Sequence, residues 1–218
     1  MIGKRLKETP LKVLITGGTS GIGLELARHY ISQGHWVAVT GRNLAKIEGD
    51  SVTQSERFAS YEGDVKDATF MRETLESFQN ESGPQGLDVV VANAGRSVGN
   101  KSATPDFSSG RDVIETNIFG VLNTFEPAIS IMRAQRSGHL VAISSVASFV
   151  GLPTASFYSA SKAAVTKLCE AFSISLRDQG INVTCICPGF IDTPLTRSNN
   201  HKMPFMISVE RAVKMMAR

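Results

Sequence analysis

A tyrosine and a lysine four positions apart, in the run Tyr158-Ser159-Ala160-Ser161-Lys162, are the first residues in this sequence whose types and spacing could do chemistry. On a helix that spacing puts both side chains on one face. A free phenol ionises near ~10, and bringing it close to ~7 takes roughly 4 kcal/mol of differential stabilisation. A lysine ammonium beside it in a desolvated site can supply much of this through Coulomb attraction. The pattern Tyr-x-x-x-Lys also describes many exposed surface pairs. Ser145 gives it weight: it stands thirteen residues before Tyr158, at the end of a predicted strand. The carboxyl ends of strands are where open α/β sheets bind ligands.

A second group of residues could hold a dinucleotide. The run Thr16-Gly17-Gly18-Thr19-Ser20-Gly21-Ile22-Gly23 follows an apolar stretch and precedes a helical pattern. Glycines let the backbone turn tightly and approach a pyrophosphate, whose charge then sits at the N-terminus of the next helix. The spacing is G-x-x-x-G-x-G rather than G-x-G-x-x-G, and alone it fits a bland strand–helix turn equally well. Further on, Val39-Thr40-Gly41-Arg42-Asn43 places glycine and arginine where an NAD-binding chain usually carries an acid for the ribose hydroxyls. A guanidinium there can fork onto the 2′-phosphate of NADP. Arg42 can also be read as a surface residue opening the next helix, and the missing acid counts against NAD under either reading.

Positioning these residues requires alternating strands and helices, and the apolar pattern supplies them. Strands are predicted at Leu11–Thr16, His35–Thr40, Arg57–Tyr61, Leu87–Ala92, His139–Ser144 and Asn182–Cys187. Between them, Ile22, Leu26 and Tyr30 fall at helical spacing before Gly34, and further helices are expected over Ala68–Phe78, Ser109–Arg136, Ser156–Gln179 and Val209–Ala217. Pro127 lacks an amide donor and should bend the long 109–136 helix. The expected fold class is α/β: a doubly wound, Rossmann-like parallel sheet of at least six strands with helices on both faces. One domain is expected over 1–218, with 1–10 as an N-terminal arm.

Taken together, Thr16 to Gly23, Asn93-Ala94-Gly95, Asn117, Ser144-Ser145, Tyr158-x-x-x-Lys162 and Pro188-Gly189 with Thr193 resemble the short-chain dehydrogenase/reductase family in order and spacing. The resemblance covers about Leu11 to Thr193. It implies hydride transfer between NADP(H) and a carbonyl or alcohol carbon, with Tyr158 as general acid/base and Lys162 holding the ribose and lowering the tyrosine pKa. It further implies that Ser145 orients the substrate oxygen and that Asn117 anchors a water relay to Lys162. Gly17, Thr19, Ser20, Gly21, Ile22 and Gly23 would cradle the cofactor phosphates, with Arg42 and Asn43 at its adenosine end. Asp64 and Val65 look like the family's adenine contacts, Asn93 like its support residue on the fourth strand, and Thr193, with Pro188 and Gly189, like its contact to the nicotinamide carboxamide. The segment 194–207 corresponds to a substrate-covering loop; Leu195, Met203, Phe205 and Met206 could form an apolar lid or simply pack the last helix. The sequence reaches Arg218, where most relatives continue into a seventh strand; either that edge strand is missing or the natural chain is longer than these 218 residues.

Composition narrows the alternatives. In 218 residues, 42% are hydrophobic, ordinary for a packed globular chain. The net charge of +3 is too small and scattered for a nucleic-acid footprint. Lys4, Arg5 and Lys7 read as a solvated arm, since Glu8 and the strand near Leu11 leave little room for a mitochondrial presequence. No apolar run is long enough to span a membrane. Cys169, Cys185 and Cys187 read as reduced core thiols of a cytoplasmic protein, and neither they nor the dispersed His29, His35, His139 and His201 suggest a metal. The expected partner is a small-molecule carbonyl or alcohol. A cofactor-binding scaffold without turnover has no use for the Ser145, Tyr158, Lys162 and Asn117 set, and a sugar-nucleotide epimerase would need a larger C-terminal domain. The apolar Val113, Ile114, Val121, Leu122, Val165, Leu168 and Phe172 exceed what one helix face needs against a sheet, and a homodimer is expected.

Overall fold

Short runs of apolar, β-branched residues buried on both sides form parallel strands when helices cover both faces, and this chain does so. The computed structural model describes residues 9–81, 83–98, 104–153, 155–197 and 203–217. Within them the strands are β1 (Lys12–Thr16), β2 (Trp36–Gly41), β3 (Phe58–Glu62), β4 (Val89–Ala92), β5 (Gly138–Ile143) and β6 (Ile181–Ile186). All pairings are parallel, in the order β3-β2-β1-β4-β5-β6. The order reverses between β1 and β4, and a doubly wound sheet opens a crevice at such a point.

Side chains alternate across the sheet. Leu14, Ala38, Val90 and Leu140 pack beneath α2 (Ala68–Asn80), α4 (Gly120–Gln135) and α5 (Ser156–Ser175). Val13, Ile15, Val37 and Val91 face the other way, toward Leu26 and Ala27 of α1 (Gly21–Ser32) and Val213 of α7 (Val209–Met216). Lys12 breaks the apolar pattern yet is fully buried. Its Nζ donates to the carbonyls of Gln79 (3.3 Å) and Glu81 (3.0 Å), closing the end of α2, where unpaired carbonyls favour a cation.

The long helix expected over 109–136 is instead three pieces: α3 (Phe107–Ile114), a π turn (Glu115–Phe119) and α4. Pro127 lies inside α4, and the break comes earlier, around Asn117. A π turn adds one residue to the helical repeat and turns a side chain away from its expected face. Here Asn117 is fully buried. The expected 156–179 helix ends at Ser175 and continues as a 3-10 turn over Arg177–Gln179. Gly180 closes it at φ +78, where a Cβ would collide with the Arg136 carbonyl.

No seventh strand occurs among the described residues, and β6 is an edge of the sheet. Ile207 returns to the chain after β6 through a parallel bridge with Ile191. Of the expected arm, residues 1–8 lie outside the described part, as do 198–202 of the covering loop; its beginning forms a short helix, α6 (Pro194–Arg197). No helix among the described residues is long and apolar enough to cross a membrane.

Candidate functional site

The crevice at the carboxyl ends of the strands is a cavity of about 680 Å³, within the ~300–1,000 Å³ of small-molecule sites. Its floor is the glycine-rich turn after β1. Gly17 has φ +66, and a Cβ there would approach Ala94 Cα at 2.8 Å. Asn93 fixes the turn to β4, its Nδ2 donating to the carbonyls of Thr16 (2.9 Å) and Gly17 (3.2 Å). Thr16 Oγ1 accepts in return from the amides of Asn93 (3.0 Å) and Ala94 (3.1 Å). Ser20 is extended at the head of α1 and its side chain does not cap the helix. The first amides of α1 therefore stand beside the cavity wall formed by Thr19, Ser20, Gly21 and Ile22, and such an end favours an anion. Gly23 does not line the cavity; it lets α1 pass close to the Gly17 carbonyl and Asn93, which a Cβ would strike.

Arg42, Asn43, Asp64 and Val65 line the far end. The Arg42 side chain is 64% exposed and lies 4.0 Å from Asp64. Asn43 has a structural task as well, its side chain accepting from the Ala45 amide (3.0 Å) to start a 3-10 turn. Lys46 from that turn also lines the cavity, a residue the sequence reading did not single out. Gly41 packs on Thr19, and a Cβ at position 41 would run into the Thr19 side chain.

At the other end Ser145, Tyr158 and Lys162 meet. Ser145 follows β5, its Oγ accepting from the Ala147 amide (3.1 Å) to begin a 3-10 turn. Tyr158 and Lys162 come from the first turns of α5. The Lys162 ammonium donates to the Ile143 carbonyl (2.7 Å) and stands over the Tyr158 ring, 5.7 Å from its centroid. Burial pulls the lysine down to about 8, opposed by the thiols of Cys185 and Cys187. The phenol is displaced in the direction opposite to the expected one. Burial, which penalises phenolate, pushes Tyr158 up, and the Ser145 hydroxyl pulls back more weakly.

Asn117 lies behind this wall and does not reach Lys162. Its Oδ1 accepts from the Arg96 amide (2.7 Å), while Nδ2 donates to the Arg96 carbonyl (2.9 Å) and to Ser161 Oγ (2.9 Å). Its side chain thus clamps the segment that follows β4. Three serine and threonine hydroxyls complete the scaffold, and two of them, Ser161 and Thr166, were missed in the sequence. Ser144 Oγ and Thr166 Oγ1 each donate to the Lys162 carbonyl (both 3.0 Å), and Ser161 lies between Tyr158 and Asn117. The only signal for Ser161 was its place inside the Tyr-x-x-x-Lys run; Thr166 offered only its place one turn after Lys162. Arg96 was missed as well; it lines the cavity and its Nη1 pairs with Asp112 (2.9 Å).

Pro188, Gly189 and Thr193 form the wall after β6, with Leu195 beside them. Met203, Phe205 and Met206 do not line it; Phe205 is exposed and has φ +60. The three cysteines are free, Cys185 and Cys187 with Sγ atoms 4.0 Å apart, and the described residues offer no metal-binding cluster. His35 Nδ1 accepts from the Leu11 amide (3.1 Å) and His139 bonds Thr184 (2.8 Å), both away from the cavity. The helix-end amides and glycine-rich cradle suit a pyrophosphate, and the opposite end suits proton transfer at an oxygen.

A family model described as short chain dehydrogenase matches residues 11–204. An uncharacterised oxidoreductase of Myxococcus xanthus is 35% identical over 208 residues, covering 94% of this chain and 81% of that one. One from Mycobacterium tuberculosis is 32% identical over 201 residues, covering 89% and 79%. Among solved structures, a short-chain type dehydrogenase/reductase from Mycobacterium marinum superposes with a TM-score of 0.88 at 25% identity, covering 99% and 90%. An actinorhodin polyketide ketoreductase solved with NADPH gives 0.86 at 27% identity, covering 95% and 89%.

Proposed function

The chain belongs to the short-chain dehydrogenase/reductase family and is an oxidoreductase, and from that premise we propose that it transfers a hydride between NADP(H) and the carbonyl or secondary-alcohol carbon of a small molecule. The observation that carries this reading is the meeting of Tyr158, Ser145 and buried Lys162 on one wall of a cavity whose floor is the glycine-rich turn. A bound nicotinamide supplies or accepts the hydride. Gly17, Thr19, Ser20, Gly21 and Ile22 would hold its pyrophosphate, and Pro188, Gly189 and Thr193 its carboxamide end. Lys162 would hold the ribose, and its charge beside the Tyr158 ring favours phenolate over phenol, opposing the burial that disfavours it. In the reductive direction Tyr158 Oη gives its proton to the substrate oxygen, and in the oxidative direction it takes that proton back. Ser145 steers the same oxygen.

NADP(H) is favoured over NAD(H) on two grounds. Arg42 is a cation beside the end of β2, with Lys46 on the same cavity wall. An acid at position 41 would need a Cβ in space filled by Thr19. The relative solved with NADPH agrees with this preference. Calorimetric titration with NADPH and NADH, then a panel of β-keto esters, diketones and aryl ketones followed at the nicotinamide absorbance, tests the reading. Tighter NADH binding breaks the cofactor assignment, and no turnover of any ketone or alcohol favours the idle, cofactor-binding scaffold.

A homodimer and a cytoplasmic location belong to the same proposal. Of the seven apolar positions expected to be in surplus, Val113, Val121 and Val165 are spent inside the core. Ile114, Leu122, Leu168 and Phe172 stay partly exposed, and Phe107, Phe119 and Ile174 are open around the same helices. They support a second-copy contact, which light scattering at micromolar concentration tests. Three unpaired cysteines suit a reducing compartment.

A further inference from the structure

Ser161 stands in the middle of the Tyr158–Lys162 turn, fully buried, and no step of the proposed reaction uses it. A buried hydroxyl needs both a donor's and an acceptor's partner to offset its lost hydration. Ser161 has both. Its Oγ donates to the Tyr158 carbonyl (2.7 Å) and accepts from Asn117 Nδ2 (2.9 Å). Asn117 in turn holds Arg96 by its amide and its carbonyl. The residue before Arg96 is Gly95, which separates Asn117 from the lysine: a Cβ built there would lie 3.5 Å from both Asn117 Oδ1 and Lys162 Nζ. A continuous chain of hydrogen bonds thus runs from the backbone of Tyr158, through Ser161 and the π turn, to the cavity wall that faces Lys162.

We propose that Ser161 is a positioning residue for the transfer step: through Asn117 it sets the separation between the Tyr158–Lys162 turn of α5 and the Gly95–Arg96 wall. The inference rests on the assignment of Tyr158 and Lys162 made above. Ser161 touches neither Tyr158 Oη nor the ammonium, so its effect is on geometry. The pyrophosphate cradle lies on β1 and α1, outside this chain of bonds, and cofactor affinity should stay as it is. Only a small hydroxyl side chain provides both bonds. Alanine provides neither, cysteine keeps the volume but offers weak, long bonds, and threonine keeps the hydroxyl.

The test compares Tyr158→Phe, Ser161→Ala, Ser161→Cys and Ser161→Thr with the unaltered protein. The probe is the ketone turned over fastest in the panel above, with NADPH as reductant. Ser161→Ala should lower kcat about tenfold while KM and the NADPH Kd stay within threefold. Ser161→Thr should recover at least half of kcat, and Ser161→Cys should resemble alanine; cysteine decides the matter if the alanine variant does not fold. A Tyr158→Phe protein that keeps its turnover removes the underlying assignment and this inference with it. With Tyr158→Phe inactive, three results overturn the inference alone: a kcat within twofold of the unaltered protein for the alanine or cysteine variant, a KM or NADPH Kd that rises as far as kcat falls, or a threonine variant as slow as alanine.

Discussion

The two ends of the cavity are built on opposite principles. At the Tyr158 end the polar groups are buried: Asn117 and Ser161 are fully covered and Lys162 is 5% exposed, each held by hydrogen bonds to backbone or neighbouring side chains. At the Arg42 end the charges are in water, the arginine 4.0 Å from its nearest acid. Low dielectric makes an interaction strong and an unmet partner costly, whereas exposed charges are screened and individually weak. One end should fail abruptly when altered and the other by degrees.

Tyr158→Phe should show the largest effect, turnover falling about 10²–10⁴-fold as expected for a lost general acid, with the NADPH Kd within a few-fold by calorimetry. Full retention of activity would dissolve the contrast at its strongest point. Asn117→Ala comes next, as a stability effect. It strips partners from the Arg96 amide and carbonyl and from Ser161, and should cost roughly 2–3 kcal/mol in denaturant unfolding. A loss below ~0.5 kcal/mol would mean the buried end tolerates gaps as an exposed surface does. Arg42→Ala should weaken NADPH by about 1.5 kcal/mol, the lower end for a charged hydrogen bond because the site is exposed, and leave NADH unchanged. Equal weakening of both cofactors would detach Arg42 from the 2′-phosphate.

The smallest effect concerns pH. Lys162 is lowered from 10.5 to about 8 in the folded protein, so between those values the unfolded chain binds more protons and stability rises with pH. Tyr158 is raised above 10.0, and its contribution, complete below that value, is lost only as pH climbs through the folded pKa. The lysine window is therefore about pH 8 to 10. Across it the unaltered protein should gain on the order of 1 kcal/mol relative to Lys162→Met in chemical denaturation. A flat difference would place the ammonium in water.

Much of this was legible beforehand because it depends on local pattern. Apolar runs rich in Val, Leu and Ile gave β1, β2, β4 and β5 to within two residues, since burial on both faces leaves no alternation to misread. Glycines and the Tyr158–Lys162 spacing located the site. The π turn was not legible: Ile114, Ile118 and Val121 keep a helical rhythm across it, and the cause, Asn117 reaching the Arg96 backbone, joins residues far apart in the chain. The opposing effect of burial on Tyr158 was not legible for a related reason. A helical spacing shows that an ammonium is near but not how deeply the phenol is buried.

The packing of Gly41 on Thr19 has an evolutionary consequence. Planting an aspartate at position 41, the direct route toward NAD, forces its Cβ into the threonine side chain. Shrinking Thr19 to glycine or alanine first would open the space while gaining nothing by itself. Exchange of cofactor preference then couples positions 19 and 41: the side chain that must give way to an acid at 41 is one that also lines the cofactor cavity, so room gained at one end is taken from the other.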